Sequence, residues 1–223
     1  MDCASASTIT LVDRSEYPTT LIFSEDNPTD TTITLNGRLF YIVKTRIEIV
    51  KKLAREDLQI TTDITTASGE LVASFEWHSI TSDIITWPAR GIQREKASRW
   101  LKKNFMPFSR NAKFRYVDGR TYRWDKEGHR SQLRLLDEEG SIIAYFERAQ
   151  PYVNHVPGFN YNPVPKPSQL HLSQQADLMR EDVLLSFISL ERDIRGAERM
   201  ESFVATGQAA EGSNNIFISS NYA

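Results

Sequence analysis

The sequence predicts a mainly β domain, a closed antiparallel barrel of about a dozen strands around one hydrophobic C-terminal helix. Three observations carry this. Most of residues 8–147 alternates apolar and polar side chains at period two and is rich in Thr, Ile, Val and aromatics, the pattern of half-buried strands. Turn dipeptides interrupt that pattern at Asn36-Gly37, Ser68-Gly69, Asp118-Gly119 and Glu139-Gly140, where Gly accepts the positive φ of a tight hairpin. Finally, Val183–Leu190 is apolar nearly all round apart from Ser186 and Ser189, and a helix of that kind must be surrounded. A sheet that closes on itself supplies the surround and hides its own edges.

The candidate strands, in order, are 8–12, 19–24, 31–35, 38–44, 46–50, 57–65, 70–78, 112–117, 120–125, 132–137 and 141–147. Residues 151–167 contain five prolines, each of which removes a backbone donor, so this stretch is a long connection. A short strand at 169–172 leads to a helix at about 177–195, with Ser173 or Asp177 as N-cap and Gly196 as stop. The chain thus divides into an N-terminal segment, 1–16, with a candidate first strand, a single domain, 17–202, and a polar tail, 203–223.

The hairpin at Asp118-Gly119 is decided by parity, because a one-residue slip turns every side chain to the opposite face. A two-residue loop would split the aromatics. A three-residue loop, Val117-Asp118-Gly119, pairs Phe114 with Tyr122 and gathers Phe114, Tyr116, Tyr122 and Trp124 on one face. Lys113, Arg115, Thr121 and Arg123 then form the exterior.

Composition narrows the function. Twenty-seven Lys and Arg against 29 Asp and Glu give a net charge of −2, so no global field draws the chain to nucleic acid or to anionic membrane, and any such contact needs a local patch. The only cysteine, Cys3, excludes an internal disulfide and a CxxC metal motif and suits the reducing cytoplasm. The first residues lack the basic and apolar regions of a secretory signal. The apolar run 183–190 is far shorter than the roughly 20 residues of a transmembrane helix.

The stretches Tyr41–Thr45, Leu71–His78, Arg99–Leu101, Phe114–Trp124, Ile143–Arg148 and Val183–Arg192 carry a resemblance. In this order they resemble a domain family abundant in mushroom-forming fungi, placed with the Tubby C-terminal-like, LURP-one and phospholipid-scramblase folds. The resemblance covers about residues 20–196. It implies a closed barrel around the C-terminal helix. Tubby relatives hold phosphoinositide headgroups on basic residues of the barrel exterior, although no motif here aligns with those positions.

His78, His129, His155 and His171 lie in different elements without metal-ligand spacing, and GxSxG, P-loop and GxGxxG motifs are absent. Glu76 and His78 share a strand face and form the one acid/base candidate, against the plainer reading of solvent-facing strand residues. No catalytic residue, metal or cofactor is therefore assigned. The densest basic stretch, Lys102, Lys103, Arg110, Lys113, Arg115 and Arg123, is the candidate site for a phosphate or lipid headgroup, against a plainly solvated strand face. Trp87 and Trp100 are either exposed anchors or core residues. The leading function is a non-enzymatic module that recognises an anionic lipid or a protein partner on the barrel exterior. The alternatives are an enzyme or small-molecule carrier with a pocket at the barrel mouth, and an interaction subunit using its tail.

Overall fold

The computed structural model describes residues 16–52, 55–78, 81–106, 109–127, 132–150 and 166–215. Among these, thirteen strands form one antiparallel sheet. The first half comprises β1 (Thr19–Phe23), β2 (Thr31–Leu35), β3 (Arg38–Lys52), β4 (Arg55–Thr66), β5 (Leu71–Trp77), β6 (Ile84–Trp87) and β7 (Ile92–Lys96). The second comprises β8 (Leu101–Met106), β9 (Ser109–Arg115), β10 (Thr121–Glu127), β11 (Gln132–Leu136), β12 (Ile142–Glu147) and β13 (Gln169–Leu172). Two helices follow, α1 (Gln174–Leu178) and α2 (Arg180–Asn215). The candidate strand 8–12 and residues 151–165 of the proline-rich connection lie outside the described residues.

The chain walks from β1 outward to β7, crosses through a 3-10 turn at Ala97–Arg99, and walks back from β8 to β13, which pairs with β1. Two meanders are thus joined along β1 and β13. The expected closure does not occur. β7 and β8 are the two free edges of the sheet, with no ladder between them, so the fold is an open sheet around a helix rather than a barrel. The backbone explains the gap. Arg94, in the middle of β7, takes a positive φ of 55°, which interrupts the extended edge that a further strand would need. Trp100 then packs 5.3 Å from Trp87 and 6.0 Å from Phe114, so side chains rather than a ladder bridge the two ends of the sheet. Trp87 is fully buried and Trp100 packs against the core, which makes them core residues and not exposed anchors.

The hairpin parity holds. Tyr122 pairs with Phe114 and Arg123 with Lys113, the loop is Val117-Asp118-Gly119, and Gly119 has φ 89°. Phe114, Tyr122 and Trp124 are buried, whereas Lys113, Arg115 and Arg123 are exposed. Asn36 and Gly37, both with positive φ, form the two-residue turn between β2 and β3. Three strands were not visible in the sequence pattern, β6, β7 and β8, and the segments 38–44 and 46–50 are one continuous strand, β3.

Inside the sheet lies α2. Val183, Leu184, Leu185, Phe187, Ile188 and Leu190 are each 0% exposed. The Phe187 ring meets Phe146 at 4.4 Å, Phe23 at 5.6 Å and Trp124 at 6.1 Å, so strands from both meanders touch one side chain. Ser186 accepts a hydrogen bond from the Trp124 indole at 2.8 Å, which satisfies a polar group in the core. Ser173 caps α1 by accepting from the Ala176 N–H at 3.2 Å. Met179 breaks the helix at φ −118°, and α2 then runs through Gly196 to Asn215. Gly196 is no stop because a helix ends at Gly only where the chain needs the left-handed conformation, and it keeps helical geometry here.

Candidate functional site

The basic stretch is sorted by strand pleat. On β8 successive side chains face opposite sides, so Lys102 and Lys103 separate. Lys102 is exposed and lies directly opposite Lys113 on β9, which lies directly opposite Arg123 on β10. Three cations therefore stand in one row across three adjacent strands. Among the described residues neither Lys102 nor Lys113 has an ion-pair partner, and Arg123 has only Asp125, at 3.8 Å. Arg115 shares the exterior face but turns toward its own loop, where its Nε donates to the Gly119 carbonyl at 2.7 Å. Arg110 is on β9, and its side chain lies outside the described residues.

Lys103 does not belong to that row. Its side chain is 10% exposed and points inward, donating to Asp193 Oδ2 at 2.5 Å and to the Ser189 carbonyl at 3.4 Å, with Asp83 Oδ2 at 3.6 Å. It stands at the rim of a cavity of about 540 Å³ beside the β7–β8 opening. Three strand-side segments border this space, contributing His78, Ser82 and Asp83 before β6 and Ser98 in the 3-10 turn. From α2 come Arg192, Asp193, Gly196 and Arg199. The Arg192 guanidinium stacks 4.2 Å over the Trp77 ring and donates to Asp193 Oδ1 at 3.1 Å. Asp83 accepts the His78 backbone N–H at 3.0 Å, and the Ser82 hydroxyl donates to Ser98 at 3.0 Å. None of these but Lys103, His78 and Gly196, the last as a helix stop, stood out in the sequence, because they come from four separated segments. The only local signal was a glycine inside a helix.

The acid/base candidate dissolves. Arg94 grips both oxygens of Glu76 at 2.9 Å, while His78 borders the cavity, so Glu76 is committed to an ion pair. Among the described residues no three His, Cys, Asp or Glu side chains are grouped as a metal ion requires.

A second polar cluster ties α2 to the sheet. Glu191, 0% exposed, accepts from Arg148 at 2.7 Å and from Arg195 at 2.8 Å, and Arg195 also grips Asp26. Glu198 receives Arg148 at 2.8 Å and Lys126 at 3.1 Å. Burial alone would raise the Glu198 pKa, but the bonds from Arg148 and Lys126 outweigh it and hold the carboxyl below its ordinary range. Asp26 behaves alike, with burial opposed by Arg195 and Ser168. Glu147 follows the same rule through Lys166. Asp182 is the exception, since its burial outweighs Arg90 and leaves its pKa raised. Each of these carboxyls has its cation from another element, so the cluster reads as scaffold rather than as a site.

Comparison with curated proteins and with solved structures gave no match. Among the described residues, no helix is long and apolar enough to cross a membrane. A family model described as a family of unknown function, DUF6593, matches residues 26–196, from the β1–β2 connection to the helix glycine. That is well over half of the chain, and the protein belongs to the DUF6593 family of unknown function.

Proposed function

We propose that this protein is a non-enzymatic binding module that docks on an anionic phospholipid surface through the row Lys102, Lys113 and Arg123. One observation carries the proposal. Like charges placed directly opposite across strands destabilise a sheet, yet three cations stand in register here, two of them without an acidic partner among the described residues. An arrangement that costs stability in the free protein makes sense if an anion covers it. Exposed lysines on an edge strand also discourage edge-to-edge aggregation, which would account for Lys102 on β8. That reason does not extend to Lys113 and Arg123, which lie on interior strands. The resemblance to Tubby-like families points the same way, because those relatives take headgroups on the outer face of the sheet.

The test is cosedimentation with vesicles of phosphatidylcholine alone and of phosphatidylcholine mixed with phosphatidylserine, at low and high salt. Binding is expected only to the anionic vesicles and only at low salt, since screening removes attraction beyond about 8 Å at physiological ionic strength. The variant Lys102→Ser/Lys113→Ser/Arg123→Ser should stay in the supernatant while melting at the same temperature as wild type or slightly higher. Wild type that never sediments, or a variant that sediments as wild type does, refutes the lipid surface and turns attention to a protein ligand for the same row.

A further inference from the structure

We propose that the cavity beside the β7–β8 opening binds a small, hydroxylated phosphate monoester, independently of any docking by the outer face. The cavity is about 540 Å³, within the range of about 300–1,000 Å³ typical of small-molecule sites and far larger than one phosphate ion. Its floor is one face of α2. Arg192, Gly196 and Arg199 are spaced i, i+4 and i+7, which stacks them along the same side of the helix over two turns. Two guanidinium groups thus bracket a glycine.

That glycine is the informative residue. In a helix interior Gly is among the least favourable residues, and a Cβ added at Gly196 would meet nothing within 4 Å. Neither packing nor a positive φ requires it. What it does is deepen the floor between the two arginines. Arg192 is already oriented by Trp77 and Asp193, while Arg199 has no ion-pair partner among the described residues.

The charge of the lining selects the ligand class. Lys103, Arg192 and Arg199 face Asp83 and Asp193, which leaves the space net positive and suits an anion. Lys103 is spent on the two carboxylates and Arg192 gives one N–H to Asp193, so Arg199 and the remaining N–H groups of Arg192 are left to hold a phosphate by charge-assisted bonds. An apolar guest would strand these polar groups at a cost. The Ser82 and Ser98 hydroxyls and the carboxylate oxygens of Asp83 and Asp193 instead match the hydroxyls of a polyol body.

Isothermal titration of the full chain with glucose 6-phosphate, inorganic phosphate and glucose tests this. Saturable binding is expected for glucose 6-phosphate, weaker binding for phosphate, and none for glucose. Gly196→Leu fills the floor without changing any charge and should abolish binding, which a general surface attraction would not do. Arg199→Gln, an exposed position safe for folding, should weaken glucose 6-phosphate by about tenfold or more. Circular dichroism and thermal melting verify that each variant is folded. The proposal is overturned if no phosphate-bearing probe binds, if glucose binds as tightly as its phosphate, or if Arg199→Gln binds as wild type does.

Discussion

Phe187 is the side chain on which the two meanders meet, since its ring touches β1, β10 and β12 together. Phe187→Ala should cost about 3–5 kcal/mol, the range for emptying a fully buried aromatic site, and chemical denaturation measures it. Gly196 offers the opposite result. Gly196→Ala places its methyl in open space and should stabilise the ligand-free protein by about 1 kcal/mol, raising the melting temperature by about 2–4 °C. Individual side chains were legible in the sequence where parity or capping fixed them. The Phe114 and Tyr122 pairing followed from gathering aromatics on one face, and of the two N-cap candidates, Ser173 and Asp177, the structure selects Ser173, as cap of α1. Lys103 was not legible as an interior residue, because without a strand assignment at 101–106 nothing separated it from Lys102. Gly196 misled for a related reason, since a composition rule cannot tell a helix stop from a helix glycine beside a cavity.

Among the elements, α2 is the one that the sheet cannot do without. A chain ending at residue 176 should fail to melt cooperatively, because the core cluster would lose Val183, Leu184, Leu185, Phe187, Ile188 and Leu190 at once. A chain ending at residue 205 should melt almost as wild type does, since among the described side chains of α2 the last fully buried one is Ile194. The β3–β4 hairpin adds a different expectation. It outruns its neighbours, for β2 pairs only as far as Val43 and β5 only as far as Ile60. Beyond those points Ile47, Ile49 and Leu58 are 66%, 67% and 69% exposed. Replacing all three by Thr should shift stability by no more than about 0.5 kcal/mol each, which a melting curve checks. The sequence pattern marked most strands in the first half of the sheet because they alternate cleanly and end at Gly turns. β6 and β7 escaped because Ile84–Trp87 does not alternate cleanly and Ile92–Lys96 holds one apolar residue, and Arg94 breaks the extended backbone of β7. The missing closure belongs to the same place, as no local pattern announces that two edges will stay unpaired.

For the molecule as a whole, acid is the expected weakness. Asp26, Glu147 and Glu198 have folded pKa values below the ordinary carboxylate range, so each contributes stability that is complete above that range and is lost as pH falls through the folded values. Asp182, with a raised pKa, acts in the opposite direction and recovers stability on protonation, but it is one group against three. The melting temperature should therefore hold from neutral pH to about pH 5 and fall below about pH 4, a profile that calorimetry at stepped pH reads directly. The joining of β1 to β13 carries a further consequence. Thr20 and His171 are 151 positions apart yet share a hydrogen bond, and the helix that fills the sheet follows every strand. On a ribosome the twelve earlier strands emerge with their apolar inner face bare, and the sheet is stitched and filled only when the last third of the domain has been made. Synthesis of this protein thus passes through a long interval of exposed strand, and its yield is expected to respond to chaperones that shield nascent chains, which expression with and without added chaperones measures.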